Sequence, residues 1–488
     1  MRSRELRFGL GVFVLSLGVL LLRFLVPRPV GMADNGDGWR LLCNLGGRHP
    51  ELKPEFYVHF SYGPGSACKS DYISSQAWLD WFASKLGHVL GSSAELNLLV
   101  LGAITCVLVA VGVAATVLGL DLSRRNRVIA AVLLLLVMAD SAFFGYFASV
   151  LSEGAGFVGM LLTAGGLLLM HRTGAWRYWG AGLTVVGALI GINAKSQTLL
   201  LIPLFVIALA LVRPLGAKGR ARWLVPLGVL VIVGAGTAMV QSKGDPANAE
   251  YREANMFHVV FDSIVDGKHD TDADLTALGL PPDAKKFIGK GWWEASPWTD
   301  PGYNTYRDKI SRRNVVQYYA SHPTRTLQVL QQGAVDTLTA RPSRLGSFAE
   351  SAGYPQMAQE YRVPVLSGLS ALAAPLGLFA LVPFWLLIGW AGIRAFRRKA
   401  REYGTVVFFL LLFAIGQFGL SALGEGVEGV KHQLLTLFPT FLALVFAVLS
   451  FFLRPSRVVP EDAGEEPESE AMTEVFDAFR EPEKPAVR

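Results

Sequence analysis

Two aspartates, Asp34 and Asp37, follow the first long apolar segment of the chain, in a stretch rich in glycine and asparagine. Such residues favour turns because their side chains bond to the local backbone, so a solvated turn is one interpretation. Position supports another, since a carboxylate at a membrane surface can act as general base on a hydroxyl group. We expect at least one aspartate to be catalytic, and we favour Asp34 because Asp37 is better placed to orient Arg40.

Cations occur next to other apolar segments, on the side where the aspartates are expected. Lys195 and Gln197 separate two short apolar segments, and Lys431 and His432 precede the last one. Cations at a membrane interface suit a lipid phosphate, although snorkelling of long side chains is the simpler explanation for any one of them. Because the cations share a face, we expect these four residues to bind a phosphate group.

The third apolar segment ends in a series of polar side chains. Tyr146, Ser149, Ser152 and Glu153 recur at steps of three or four residues, which predicts one shared face of a helix. That face either supports the site, with Glu153 taking part, or packs on neighbouring helices. Asp140, earlier in the segment, is an ionisable group where such groups are costly and usually paired or functional.

The composition predicts an all-α polytopic membrane protein. Of 488 residues, 52% are hydrophobic and 17% are charged, whereas soluble domains carry roughly 25% charged residues. A span needs about 20 apolar residues, and about ten segments qualify. They are residues 8–26, 96–120, 128–151, 154–170, 178–193, 198–212, 223–240, 365–393, 405–423 and 433–453.

The basic residues predict the orientation. With ten spans, every short connection rich in Lys and Arg falls on one face, and such loops stay cytoplasmic. Both termini are therefore expected inside the cell membrane, and two sizeable segments, 27–95 and 241–364, outside. Residues 1–453 form the transmembrane domain, and 454–488, rich in Glu and Pro, form a disordered cytoplasmic tail. The net charge of +6 lies in these short loops and does not indicate nucleic-acid binding.

The first outer segment carries two further features. Cys43 and Cys68 face an oxidising space, where a disulfide is plausible, although two free thiols are the alternative. Apolar residues between positions 78 and 90 have near-helical spacing, which predicts an interfacial amphipathic helix.

At this level the chain resembles the GT-C class of integral-membrane glycosyltransferases, and among them the bacterial hexose transferases of surface-glycan synthesis. The resemblance lies in the acidic stretch 34–37, the Tyr-to-Glu stretch 146–153, the lysine between short spans in 194–197, and the late outer loop 424–432. Residues 318–323 are similar to an amphipathic helix that precedes the later spans in this class.

The resemblance implies a polyprenyl-phosphate-linked sugar as donor, and a glycan or lipid-linked molecule as acceptor of the hexose on the outer face. It adds Glu425 and Glu428 as supporting residues next to Lys431 and His432. One base without a second flanking carboxylate favours inversion, by analogy with glycoside hydrolysis. No glycine-rich nucleotide loop occurs and no cofactor is expected, while a divalent cation is left open.

Three observations bear on alternatives. A glycolipid flippase would have a similar number of spans, but also more intramembrane charges or an inverted repeat. A lipid-linked polysaccharide polymerase or ligase usually carries paired arginines in outer loops, and Arg312-Arg313 is such a pair. Asp34 and Asp37 are not adjacent, unlike the acidic pair of protein mannosyltransferases, which does not favour a protein acceptor.

Overall fold

The computed structural model of the chain is almost entirely helical, which confirms the predicted all-α class. The structure describes residues 3–46, 56–65, 70, 72–212, 221–243 and 249–452. Cys68 and the predicted disordered tail, 454–488, lie outside these residues. The Cys43–Cys68 disulfide and the tail therefore stay predictions.

The described residues form twenty α-helices and one short pair of antiparallel strands. The strands are β1 Ser61–Tyr62 and β2 Leu96–Asn97. The helices are α1 Ser3–Leu25, α2 Trp39–Leu45, α3 Gln76–Val89, α4 Leu98–Gly119, α5 Arg124–Ala139, α6 Glu153–His171, α7 Ala175–Ile192, α8 Leu201–Leu211, α9 Ala221–Gln241, α10 Ala249–His258, α11 Thr271–Leu278, α12 Trp292–Ala295, α13 Pro301–Tyr306, α14 Arg312–Ser321, α15 Pro323–Thr339, α16 Val365–Ala373, α17 Leu378–Arg397, α18 Arg401–Gly424, α19 Gly429–His432 and α20 Leu434–Ser450.

Each of the ten predicted spans falls on helical structure. Seven helices of the described residues are long and apolar enough to cross a membrane. They are Ser3–Leu25, Leu98–Gly119, Glu153–His171, Arg222–Gln241, Leu378–Arg397, Arg401–Gly424 and Gly429–Ser450. The other predicted spans correspond to α5, α7 and the shorter apolar helix Ser196–Leu211.

The amphipathic helix predicted between 78 and 90 is α3, and the one predicted near 318–323 is the end of α14. Which side faces the cytoplasm stays a prediction.

The third predicted span, 128–151, is wrong at its end. Helix α5 stops at Ala139 because the Asp140 carboxylate accepts hydrogen bonds from the amides of Ala142, Leu366 and Ser367, at 3.0, 2.7 and 3.1 Å. An aspartate that bonds to backbone amides in this way competes with helix continuation. Asp140 is thus a structural residue that anchors the start of α16.

The predicted shared face of Tyr146, Ser149, Ser152 and Glu153 is consequently wrong. Residues Phe144–Ala148 form a 3₁₀ turn, and Glu153 begins the next helix, α6. The polar residues are therefore held by local backbone turns, not along one helix.

The eighth predicted span, 365–393, is broken in two. Helix α16 ends at Ala373, and α17 begins at Leu378. Pro375 has no amide hydrogen for the helix ladder, and Gly377 has a positive φ of 54°. The break separates a short apolar helix from the spanning one.

Helix α6 is buried along almost its whole length and packs against α4 and α7. The contact with α7 is so close that a Cβ on Gly159 would lie 2.2 Å from the amide nitrogen of Gly191. Small residues permit such close approach of membrane helices. Because α6 and α7 run antiparallel, the start of α6 and the end of α7 meet, which brings Glu153 close to Lys195.

Helices α17, α18 and α20 also pack together, and two of their ends meet at one place. Helix α18 packs between α17 and α20, and α18 and α20 are joined by the short segment 425–433. That segment lies at the same end of the helices as Glu153 and Lys195, because Lys195 contacts His432 there. The ends of four helices thus surround one point.

Residues Val30–Ala33, which lead into the aspartates, are held between two other segments. The amides of Gly31 and Ala33 donate to the carbonyls of Ser347 and Gly346, at 3.1 and 2.9 Å. On the other side, the amide of Met32 donates to Ala148, at 3.3 Å. The aspartate loop is therefore placed by backbone bonds to segments far away in sequence.

A buried ion pair holds the segment that bonds to the aspartate loop. Arg23, at the end of α1, pairs with Glu360, which also accepts from the Ser141 hydroxyl at 3.0 Å. Arg341 donates to the Glu360 backbone carbonyl and to the Ser347 hydroxyl. Through this network α1 holds residues 341–360, the segment whose backbone bonds to the aspartate loop.

We predict that Glu360→Ala destabilises the protein by about 3–5 kcal/mol, because it leaves Arg23 as an uncompensated buried charge. The measurement is thermal unfolding of the full chain in detergent. The matched control is Glu350→Ala, an exposed carboxylate of the same segment, which should stay within about 0.5 kcal/mol. Equal melting temperatures for both variants would contradict the assigned role of the ion pair.

Candidate functional site

A cavity of about 530 Å³ opens where the ends of these helices meet. Most of the residues predicted for the site line it, together with several that sequence reasoning missed. The predicted residues that line it are Asp37, Arg40, Glu153, Lys195, Gln197, Glu425, Glu428 and His432. The cavity therefore collects residues spread over almost 400 positions of the sequence.

Asp37, in the loop after α1, is the predicted aspartate that lines the cavity. Its side chain is 44% exposed, and Lys431 contacts one carboxylate oxygen at 2.5 Å. Arg40 lies 3.8 Å from the other oxygen, and the Asn35 amide donates at 3.3 Å. Burial opposes ionisation, but the charges of Lys431 and Lys195 outweigh it and hold the pKa of Asp37 well below its ordinary value. Asp37 is thus ionised and open to a ligand.

Asp34 has a different environment. It is 2% exposed and is not among the lining residues. Its Oδ1 atom accepts from the amides of Gly36 and Gly38, at 3.0 and 2.8 Å, the local bonding expected of an aspartate in a turn. The geometry therefore gives Asp34 the role of shaping the loop that presents Asp37, the reverse of the preference drawn from sequence.

Lys431 does not line the cavity but lies buried behind it. Besides Asp37 it contacts Glu428 at 3.0 Å, and Glu428 in turn accepts from the Asn35 amide at 2.6 Å. Burial opposes the ionisation of Glu428, but Lys431 and His432 lower its pKa. Lys431 therefore joins the loop after α1 to the start of the last span and keeps two carboxylates charged.

Another part of the cavity wall centres on Lys195. Its ammonium group lies 3.1 Å from Glu153 and 3.1 Å from Nδ1 of His432. Burial disfavours the charged ammonium, but Glu153 outweighs this and raises the pKa of Lys195. An ammonium group has three hydrogens to donate, so Lys195 retains one for a ligand in the cavity.

Gln197 and Glu425 form the third part of the wall. The Gln197 amide donates to Glu425 at 2.6 Å, and the buried Gln417 donates to the Gln197 oxygen at 3.0 Å. Glu425 also lies 3.7 Å from Nε2 of His432. The predicted residues after α7 and after α18 are thus joined in one polar network.

Two predicted supporting residues lie away from the cavity. Tyr146 is buried against Phe157, and its hydroxyl has no hydrogen-bond partner among the described residues. The buried Ser149 hydroxyl accepts from the amide of Leu151 at 3.3 Å. Both lie next to the start of α6, and neither lines the cavity.

The segment between α9 and α16 supplies a wall of the cavity that sequence reasoning missed. Residues 254–329 have an apolar core of their own, rich in aromatic side chains. Trp292 of this core lines the cavity together with Tyr251 and Trp293, which lie outside the core, and Trp293 is 56% exposed. Arg40 lies over the Tyr251 ring at 3.8 Å. The Trp-Trp pair at 292–293 was a visible sequence signal, but its distance from residue 37 hid the connection.

Three further lining residues were not predicted. His258 donates through Nδ1 to the Asp262 carboxylate at 2.8 Å, and its Nε2 accepts from the Trp292 amide at 3.3 Å. Tyr72 bonds to the Ser152 hydroxyl at 2.9 Å. Arg344, on the segment behind the aspartate loop, lies 3.3 Å from Glu428. None of them sits in a pattern that separates it from ordinary loop residues.

A divalent cation was left open by the sequence. In the part of the chain that the structure describes, no group of three or more His, Cys, Asp or Glu side chains is arranged to hold a metal ion. The carboxylates of the cavity are instead bound to lysine, arginine and amide groups.

Comparisons with known proteins give one family and two structures. The model of the YfdI N-terminal transmembrane domain matches residues 3–465. A crystal structure of the Archaeoglobus fulgidus oligosaccharyltransferase tethered with an acceptor peptide is similar at 16% identity and a TM-score of 0.38, over 91% of this chain and 49% of that one. AglB from the same organism, in complex with an inhibitory peptide and a dolichol-phosphate, is similar at 16% identity and a TM-score of 0.40, over 98% of this chain and 52% of that one. The chain spans about half the length of these two proteins. No curated protein sequence matches it.

Proposed function

The chain belongs to the family of the YfdI N-terminal transmembrane domain, and we propose that it is a membrane glycosyltransferase of the GT-C class. In this proposal it transfers a hexose from a polyprenyl-phosphate donor to a glycan or lipid-linked acceptor, on the outer face of the cell membrane. The observation that carries the proposal is a cavity lined by both an ionised carboxylate, Asp37, and an ammonium group, Lys195.

The donor phosphate is assigned to the Lys195 side of the cavity. Lys195, Gln197 and His432 line this side, and a cation with free hydrogens suits a phosphate group. When the bond from the anomeric carbon to the phosphate oxygen breaks, negative charge grows on the phosphate. Preorganised donors and cations stabilise such developing charge strongly.

The acceptor hydroxyl is assigned to Asp37. Its oxygen attacks the anomeric carbon, the bond to phosphate breaks, and the hydroxyl proton passes to the carboxylate. Because the pKa of Asp37 is held low, this transfer occurs late, once the hydroxyl oxygen has begun to bond to carbon and has become acidic. A single attack of this kind inverts the anomeric centre.

The aromatic wall supports a sugar substrate. Tyr251 and Trp293 line the same cavity as Asp37, and aromatic rings offer broad apolar contact with few rotatable bonds. The apolar faces of a pyranose ring suit such a surface, and the polar groups nearby suit its hydroxyls.

The alternatives receive less support. Arg312 and Arg313 begin α14 and do not line the cavity of Asp37, so the arginine pair expected of a polymerase or ligase is not part of this site. A flippase moves a lipid without breaking a covalent bond, so it does not need a carboxylate as general base near the phosphate.

Substitution of the two aspartates tests the proposal. We expect Asp37→Asn to lower transfer about 10²–10⁴-fold, the usual worth of a general base, with normal protein levels because Lys431 keeps Glu428 as its partner. Asp34→Asn is the matched control, because the amide oxygen can still accept from Gly36 and Gly38. It should retain most of the rate.

The assay follows label from a polyprenyl-phosphate [³H]hexose into a glycan extract from cells that lack the gene, with the purified full chain in liposomes. Near-normal transfer by Asp37→Asn would contradict the role of Asp37 and direct attention to Glu153. No transfer by the wild-type chain from any such hexose donor would contradict the proposed function itself.

A pH profile tests Lys431 as the residue that positions and charges Asp37. In Lys431→Met the charge that lowers the pKa of Asp37 most is gone, while Lys195 still lowers that pKa and burial still raises it, so the carboxylate takes up a proton at higher pH than in wild type. We expect the ratio of rates at about pH 5.5 and about pH 7.5 to fall at least about tenfold relative to wild type. Lys431→Arg should restore it. Identical profiles for Lys431→Met and wild type would contradict this role.

A further inference from the structure

A second cavity, of about 700 Å³, lies between α1 and α5 at the opposite end of α1 from Asp37. The 23 residues of α1 span about 34 Å at 1.5 Å per residue. The cavity, here called the α1–α5 groove, is therefore separate from the site described above. None of the proposed catalytic residues lines it.

The rim of the groove is strongly positive. Arg4 and Arg7, in the first turns of α1, and Arg124, the first residue of α5, all line it. The positive ends of two helix dipoles meet at the same point, because α1 and α5 both begin there, and such ends attract anions.

The local acidic group is already occupied. Glu5 is bound by two nitrogens of Arg127, at 2.7 and 3.1 Å. Among the described residues, Arg4, Arg7 and Arg124 make no ion pair, so their charge is available to a ligand. Phe8, which also lines the groove, lies beneath the guanidinium groups of Arg124 and Arg127, at 5.2 and 5.0 Å, and holds that part of the rim in place.

Below the rim the groove is apolar. Val12, Leu15, Val132 and Leu135 line it, with Leu15 72% and Val132 59% exposed. Apolar side chains left open within a groove indicate an apolar ligand. Snorkelling arginines alone would explain the rim but not a groove beneath it.

We propose that the α1–α5 groove binds an anionic phospholipid. The headgroup phosphate lies among Arg4, Arg7 and Arg124, and an acyl chain lies along Val12, Leu15 and Val132. The charge of the rim selects an anionic headgroup over a zwitterionic one, and the apolar floor selects a lipid over a free anion.

The first experiment measures retention of dioleoylphosphatidylglycerol by the purified full chain in neutral detergent, by native mass spectrometry. Replacement of the three rim residues (Arg4→Gln, Arg7→Gln, Arg124→Gln) should lower its affinity about tenfold or more. The control removes the same charge from exposed arginines at the same end of the helices, outside the groove: Arg125→Gln, Arg397→Gln, Arg401→Gln. It should bind as wild type does. Equal losses in the two triple variants would overturn the proposal.

A second variant tests the apolar floor without changing any charge. Gly11 lines the groove, and a Cβ built on it has no heavy atom within 4 Å. Gly11→Phe therefore extends into the space assigned to the acyl chain, and it should also weaken binding of the lipid. Unchanged binding in Gly11→Phe, equal binding of dioleoylphosphatidylcholine, or full competition by inorganic phosphate would each overturn the assignment to an anionic lipid.

Discussion

The arrangement of the site depends on one buried ammonium group. Lys431, at the start of the last span, contacts Asp37 after the first span and Glu428 after α18. A buried charge is tolerated only with well-placed partners, and removal of a partner is costly. This contact therefore holds the loop after the first span against the start of the last span. It also keeps the Asp37 carboxylate ionised.

Around this contact, packing decides which residues meet. The glycine contact of α6 and α7 places Glu153 against Lys195, and the Arg23–Glu360 pair supports the segment that holds the aspartate loop. The segment between α9 and α16 then lines the cavity with Trp292 and Trp293. The side chains of the cavity thus come from loops and helix ends, and the spans determine where these lie.

Hydropathy and periodicity predicted the spans and α3. A long apolar run in lipid forms a helix because its backbone groups must then bond to one another. They failed at Asp140, where hydrogen bonds to α16 end the helix, and those partners are 226 and 227 residues away. Residue types pointed to the lysines and carboxylates of the cavity. They favoured Asp34 over Asp37, since only the folded loop shows that Asp34 bonds to backbone amides. The aromatic wall depends on tertiary packing and had no local pattern of spacing.

In the proposed reaction, the cavity of Asp37 and Lys195 holds the lipid phosphate during transfer. A cryo-electron microscopy structure of the full chain with bound polyprenyl phosphate tests this placement. We expect a phosphate oxygen within about 3.5 Å of the Lys195 ammonium nitrogen. A phosphate bound outside this cavity, in a preparation that is active in transfer, would contradict it.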